Sequence, residues 1–209
     1  MKLSEREIGR QLVHLTGIVV VFIAIILGRE LVAYGSLILS MGILLISVYT
    51  QMRVEIKEKL PLRVKSIEIL EETLYEVLNS LEREEYIKKK PYLGAFTFYF
   101  SIGLVMLVFP LEISALAVTV LAVHDSFSTL IGYHFGRYKI PGTKKTWEGF
   151  FGGLIPSFLV CALVGSFLGL PILYIIIAPV VGAVVEVYSF GLNDNITIPI
   201  MVGFILLLV

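Results

Sequence analysis

Long apolar stretches alternate with short polar segments along most of the chain, and this alternation predicts the fold. The apolar runs lie at 12–28, 31–50, 93–109, 113–135, 150–169, 171–188 and 196–209. A helix needs roughly 20 apolar residues to cross the hydrocarbon of a bilayer, with a range of about 17 to 25. The sequence therefore predicts an all-α, polytopic integral membrane bundle of about seven transmembrane helices, in one domain over residues 1–209.

One large polar insert, residues 51–92, interrupts the apolar runs. Within it, apolar residues recur at three- and four-residue steps and glutamates occupy the other faces. This spacing predicts a cytoplasmic amphipathic helix that starts after Pro61 and ends near Glu85. Such a helix can lie on the membrane surface as a connector or cover the cytoplasmic mouth of the bundle.

The basic residues predict the orientation of the bundle. If the N terminus is cytoplasmic and the spans alternate, the cytoplasmic segments are 1–11, 51–92, 136–149 and 189–195. These segments contain 16 of the 17 Lys and Arg residues, and Arg29 is the exception. Cytoplasmic segments of membrane proteins carry such an excess of basic residues. We therefore expect a multi-pass cell-membrane protein whose N terminus and active site are cytoplasmic.

Composition agrees with a membrane protein and narrows its partners. The chain is 57% hydrophobic with zero net charge, and its mean hydropathy is +0.90. A neutral chain gives no indication of a nucleic-acid partner. Cys161 lies in an apolar run and is expected to be an inert interior residue. No convincing cleavage site follows the first apolar run, which predicts a retained span.

An acidic residue lies inside the fourth apolar run. Asp125 is about twelve residues into that run, where a charge costs at least about 2.5–3.5 kcal/mol unless it faces a cavity, a cation or a partner. Ser128, Thr129 and Gly132 share its helix face and leave room for a ligand. A buried Asp can also simply hydrogen-bond to a neighbouring helix, but one short loop connects this residue to a second polar motif.

That second motif is the basic loop 136–149. The polar and glycine residues at its entry to the fifth run are Lys144, Lys145, Thr146, Glu148 and Gly149. Phosphate binding uses cations, backbone amides at a helix N terminus, and glycine for close approach. The loop therefore predicts a phosphate site, although a lysine pair at a membrane boundary is also a common topology anchor.

Four acids fall in the cytoplasmic half of the predicted bundle, namely Asp125, Glu148, Glu186 and Asp194. Converging carboxylates repel one another unless cations lie among them. Because Mg²⁺ prefers oxygen ligands together with phosphates, some of these four acids are predicted to bind Mg²⁺. Asp194 and Asn195 can equally cap the last helix.

The histidines offer further candidates. His14 lies four residues after Arg10 on the same helix face, and it is either catalytic or an interior hydrogen-bonding residue. His124 and His134 are interpreted as hydrogen-bonding residues within the bundle. The sequence contains no histidine pair at zinc spacing, no nucleophile elbow and no Walker A pattern.

Three separated motifs, in the family's order, resemble those of the dolichol kinase and phytol kinase family. The N-terminal one is Arg10-Gln-Leu-Val-His14. The central one is Asp125-x-x-Ser128-x-x-x-Gly132 with Gly136-Arg137 and Lys145-Thr146-x-Glu148-Gly149. The C-terminal one is Glu186 followed by Asp194-Asn195-Ile-Thr-Ile-Pro199. The chain departs from the family at His124, which replaces a common Gly, at Ser128, which replaces a small Ala, and at Gln11, which replaces a basic residue.

The resemblance implies CTP-dependent phosphorylation of a long-chain isoprenoid alcohol of the dolichol, polyprenol or phytol type. It implies catalytic roles for Asp125, Glu148 and His14. The nucleotide-binding residues that it implies are Lys144, Lys145, Thr146, Gly149, Arg137 and Asn195. Mg²⁺ would bridge CTP phosphates to some of Asp125, Glu148, Glu186 and Asp194. Asp125 is then either the base that accepts the alcohol proton or a metal ligand.

Two other functions remain as alternatives. The resembled family is similar to membrane cytidylyltransferases, so the chain could instead make a CDP-linked lipid and pyrophosphate. A cation-coupled transporter would explain the intramembrane acids Asp125 and Glu186, but it would not explain the basic loop.

Overall fold

The computed structural model describes residues 5–59, 92–188 and 192–209, and within those ranges the chain forms seven helices. They are α1 (Glu5–Leu27), α2 (Arg29–Lys59), α3 (Leu93–Val108), α4 (Leu111–Phe135), α5 (Trp147–Phe167), α6 (Ile172–Val187) and α7 (Asp194–Leu207). The β pairing of the described residues is one isolated bridge between Lys139 and Thr146. The predicted all-α membrane bundle is confirmed.

The seven helices follow the seven apolar runs but differ in length. Four are long and apolar enough to cross a membrane, over Glu7–Leu27, Arg29–Tyr49, Leu111–Phe135 and Trp147–Phe167. The other three, α3, α6 and α7, have 16, 16 and 14 residues. A 16-residue helix is about 24 Å long, which is shorter than the roughly 30 Å hydrocarbon core. These three therefore fall short of the full spans that the sequence predicts.

The second helix is longer than the sequence predicts. Its apolar run ends at residue 50, but α2 continues to Lys59 and has 31 residues. That corresponds to about 46 Å, so α2 extends beyond a hydrocarbon core of roughly 30 Å into the polar insert. The amphipathic helix predicted between Pro61 and Glu85 lies outside the described residues.

The central helix is α4, which packs against α1, α3, α5, α6 and α7. Its side chains from Ile113 to Ser126 are all buried. A helix that is largely apolar around its circumference is buried in this way, and the polar side chains of α4 are enclosed with it. The surrounding helices expose large apolar side chains, among them Ile26, Ile38 and Leu163. The protein is therefore an integral membrane bundle that surrounds α4 with lipid-facing helices.

Arg29, the exception among the basic residues, has partners at the far end of the bundle. Its Nη1 donates to the backbone carbonyls of Phe109 and Met106, the latter at 3.4 Å, where α3 ends. The last carbonyls of a helix lack intrahelical partners and carry partial negative charge. Arg29 thus stabilises the C terminus of α3, and a structural role explains its position.

Candidate functional site

A tight hairpin between α4 and α5 carries the lysine motif back towards the bundle. The N–H of Thr143 donates to the Ile140 carbonyl at 3.1 Å, and the N–H of Ile140 donates to the Lys145 carbonyl at 3.0 Å. Pro141 and Gly142 occupy the turn, and Gly142 has a φ of 76°. Proline followed by a residue with positive φ is the sequence of a type II turn. Ile140 is buried, so the hairpin is anchored to the bundle.

Lys145 leaves this hairpin and reaches the carboxylates of the two last helices. Its Nζ lies 2.5 Å from Oε1 of Glu186 on α6 and 3.7 Å from Oδ2 of Asp194 on α7. Burial by itself lowers the pKa of Lys145, but the charges of Glu186 and Asp125 outweigh it and hold the pKa above its ordinary value. Lys145 is therefore an ammonium ion at neutral pH and cannot act as a base.

Asp125 is buried on α4, as its position in the apolar run predicts. Its Oδ2 lies 2.8 Å from Nδ1 of His14 on α1. The imidazole stacks on the ring of Phe98, with centroids 4.6 Å apart, and is itself buried. The His14 and Asp125 side chains are thus paired and held in place, which is the arrangement that acid–base chemistry requires.

Two adjoining cavities open at this end of the bundle. The first has a volume of about 270 Å³, and Ser128, Gly132, Lys144, Thr146 and Gly149 are among the residues that line it. The second has a volume of about 400 Å³, and its lining includes Arg10, Gly94, Asp125, Asp194 and Asn195. Thr129 and Lys145 line both cavities. A cation therefore stands on the wall that the two cavities share.

The N terminus of α5 faces the first cavity. Thr146 is the N-cap, and its Oγ1 accepts a hydrogen bond from the Gly149 N–H at 3.2 Å. A Cβ at Gly149 would lie 2.9 Å from the Ser128 carbonyl oxygen and 3.1 Å from Cα of Gly132. Gly149 therefore allows α5 to approach α4 closely. This packing role is additional to the phosphate approach that the sequence predicts.

Glu148 interacts with the hairpin. Both of its carboxylate oxygens lie 3.2 Å from the backbone N–H of Tyr138, which donates to them. A carboxylate in the first turn of a helix also interacts favourably with the helix dipole. The contacts of Glu148 therefore stabilise the loop and the start of α5, and its predicted catalytic and metal-binding roles stay predictions.

The start of α7 closes the second cavity. The alternative in which Asp194 or Asn195 caps this helix is wrong, because Asn193 is the N-cap and its side chain accepts from the Asn195 N–H at 3.0 Å. The Asn195 side chain donates to the Gly94 carbonyl at 3.0 Å and to Oγ1 of Thr97 at 3.2 Å. Asn195 thus ties α7 to α3 while it lines the cavity.

The four predicted magnesium ligands are not gathered into one cluster. Among the described residues, no group of three or more His, Cys, Asp or Glu side chains is placed to hold a metal ion. Asp125 and Asp194 line the same cavity, whereas Glu148 contacts the hairpin and Glu186 contacts Lys145. Two carboxylates facing one cavity fit Mg²⁺, which usually binds one or two carboxylates together with substrate phosphates.

The remaining predicted nucleotide-binding residues lie further out. Lys144 is exposed at the mouth of the first cavity, and Arg137 is exposed on the hairpin. His134 is exposed as well, with Nδ1 3.0 Å from the carbonyl of Leu130 on its own helix. The structure therefore separates Lys145, which is tied into the site, from Lys144 and Arg137 at its rim.

Sequence reasoning missed the network around Glu186. Ser128 Oγ donates to Oε1 of Glu186 at 2.7 Å, and His124 Nε2 lies 2.7 Å from Oε2. His124 is fully buried. Gln11 on α1 is fully buried as well, and its Nε2 donates to Oε1 of Glu7 at 2.8 Å. One signal was available for His124 and Glu186, because ionisable residues at membrane depth pair with one another.

Comparisons with known proteins agree with the motifs. A phytol kinase from Synechocystis sp. (strain ATCC 27184 / PCC 6803 / Kazusa) is 32% identical over 111 residues, which cover 49% of this chain and 44% of that protein. A dolichol kinase from Saccharomyces cerevisiae (strain ATCC 204508 / S288c) is 35% identical over 85 residues, which cover 38% of this chain and 16% of that protein. The matches therefore span less than half of either relative. No solved structure matches the chain.

The similarity to a phytol kinase and a dolichol kinase confirms the resemblance that the three motifs indicate. The model of the cytidylyltransferase family matches residues 22–191, which is more of the chain than either kinase covers. That range includes α4, the hairpin, α5 and α6, which carry Asp125, Lys145 and Glu186. The chain therefore belongs to the cytidylyltransferase family.

Proposed function

We propose that this protein is a CTP-dependent kinase that transfers the terminal phosphate of the nucleotide to a long-chain isoprenoid alcohol at the cytoplasmic face of the membrane. The observation that carries the proposal is the position of Lys145 on the wall between two cavities, one of which contains Asp125. A phosphoryl group in transfer must contact both substrates at once, and a cation at their junction stabilises it. The similarity to a phytol kinase and a dolichol kinase supports the substrate class.

The proposed roles follow the positions of the side chains. The phosphates of CTP bind Lys145 and the amides at the start of α5, where Thr146 caps the helix and the helix dipole favours anions. Lys144 and Arg137 add positive charge at the rim. The alcohol presents its hydroxyl in the cavity lined by Asp125.

The chemical step is an in-line displacement at the terminal phosphorus. The alcohol oxygen forms a bond to this phosphorus, the bond to the β-phosphate oxygen breaks, and CDP leaves. The alcohol proton passes to the carboxylate of Asp125, whose Oδ2 lies 2.8 Å from Nδ1 of His14. Asp194, which lines the same cavity, would hold Mg²⁺, which would supply charge neutralisation for the phosphate oxygens; Asp125 would join it only in the alternative in which this carboxylate is a metal ligand and not the base. Arg10 and Lys145, which line the same cavity, contribute positive charge from the protein.

A second candidate function follows from the family match over residues 22–191. A lipid cytidylyltransferase would use the same nucleotide but would transfer the cytidylyl group to a lipid phosphate and release pyrophosphate. The two reactions differ in which part of CTP joins the lipid, so the fate of each part separates them.

The test is label transfer by the purified protein in lipid bilayers. CTP labelled in the terminal phosphate or in the base is incubated with isoprenoid alcohols of several lengths and with lipid phosphates. The proposal expects terminal-phosphate label in an alcohol product and no base label in any lipid. Base label in a lipid contradicts it and favours the cytidylyltransferase. ATP is run in parallel to test the choice of nucleotide.

A further inference from the structure

Glu186 is surrounded by groups of the protein itself. It is buried on α6, with its side chain 3% exposed. Its Oε1 accepts from Ser128 Oγ at 2.7 Å and from Lys145 Nζ at 2.5 Å. Its Oε2 lies 2.7 Å from His124 Nε2. Because Ser128, His124 and Lys145 all contact this carboxylate, which also lines the first cavity, the side chain is placed to hold Lys145.

His124 is the least exposed member of this group, and the proposed reaction gives it no role. It is fully buried on α4, directly before Asp125. Gly153 of α5 lies against its ring, since a Cβ at that position would be 2.8 Å from Nδ1 and Cε1. The imidazole is thus confined by the α5 backbone and lies against the Glu186 carboxylate, so its own position fixes that of Glu186.

We infer that His124 is a positioning residue that holds Glu186, and that Glu186 in turn holds the Lys145 ammonium at the wall between the two cavities. The inference rests on the proposed function, because it acts through the contact of Lys145 with phosphate. A lysine side chain loses much rotamer freedom when it is fixed. When His124 fixes Glu186 and Glu186 fixes Lys145, this rotamer entropy is already lost in the free protein. CTP binding does not have to order the lysine again, and CTP binds more tightly.

The experiment is a double-mutant cycle on CTP affinity. His124→Leu removes the ring nitrogens and keeps an apolar side chain of similar size, whereas His124→Gln keeps a donor. Each is titrated with CTP in the otherwise native protein and in Lys145→Ala. Thr119→Val is the matched control, since Thr119 is buried on the same helix and its hydroxyl has no hydrogen-bond partner among the described residues.

The inference predicts strong coupling between His124 and Lys145. His124→Leu should weaken CTP binding about fivefold to tenfold in the native background, which is a large share of one charge-assisted contact. In Lys145→Ala the same change should alter affinity by less than about twofold, because residues that act as a unit are not additive. His124→Gln should recover most of the loss, and Thr119→Val should leave affinity unchanged.

A second double-mutant cycle combines Glu186→Gln with Lys145→Ala, and the same coupling in CTP affinity is expected. The inference can then still be tested if one of the His124 variants does not fold. Equal losses from His124→Leu in both backgrounds would overturn the inference and leave the proposed function standing. A Glu186→Gln effect that disappears in EDTA would overturn it as well, because it would assign that carboxylate to metal binding. Unchanged CTP affinity in Lys145→Ala alone would overturn the proposed phosphate site and the inference together.

Discussion

The replacement Lys145→Ala tests the assignment of the phosphate site. An ammonium has three donors, and Glu186 at 2.5 Å takes one of them, which leaves donors for a phosphate oxygen. A hydrogen bond to a charged group contributes about 1.5–3 kcal/mol. The Lys145 side chain is 37% exposed, so solvent screens part of the contact and the lower half of that range applies. We therefore expect CTP affinity to fall about tenfold to thirtyfold.

The assay is titration of CTP against purified protein, with thermal unfolding measured on the same samples. Removal of Lys145 also leaves Glu186 with one partner fewer, so a loss of stability on the order of 1–2 kcal/mol should accompany the affinity change. Lys139→Ala is the matched control, because Lys139 is exposed on the same hairpin and its loss should change affinity by less than about twofold. If Lys145→Ala and Lys139→Ala bind CTP equally well, the lysine is a topology anchor and the reasoning is refuted.

Four other changes test separate parts of the account. Asp125→Asn should lower turnover by at least about a hundredfold while the protein still inserts and purifies; an active variant excludes the acid–base role. EDTA should abolish turnover and added Mg²⁺ should restore it, whereas full activity in EDTA excludes a metal. Gly149→Ala places a Cβ 2.9 Å from the Ser128 carbonyl and should cost about 1–3 kcal/mol of stability, while Gly35→Ala, with open space around it, should not lower the melting temperature. A cysteine introduced in 136–149, beside the buried native Cys161, should react with impermeant reagents only from the cytoplasm, and labelling from outside would overturn the orientation.

The helices could be predicted from hydrophobicity because the apolar runs, although the last has only 14 residues, are separated by segments rich in charged residues, glycine or proline. The end of α2 could not, since residues 51–59 are polar and a polar sequence does not distinguish a protruding helix from a loop. The central position of α4 was also beyond prediction. Several runs are apolar on all faces, so hydrophobicity does not show which helix is central. That is decided by how the other helices pack around α4.

The site was predictable where its residues are close in sequence. Asp125 and Lys145 are joined by one helix end and one hairpin, so their proximity follows from chain connectivity. Glu186 is 41 residues from Lys145 and 58 from Ser128, and no local pattern indicates that it would pair with them. The sequence therefore predicted an acid in the site without its partners, and the magnesium-binding role of Glu186 stays a prediction.

The central claim is that the protein moves the terminal phosphate of CTP, and the leaving group tests it most directly. In a single turnover with enzyme in excess over CTP and a long isoprenoid alcohol present, the nucleotide product is separated and identified. The account predicts CDP, formed at the rate at which the lipid phosphate appears and absent with Asp125→Asn. Pyrophosphate with no CDP, or CDP formed equally fast by Asp125→Asn, would contradict it.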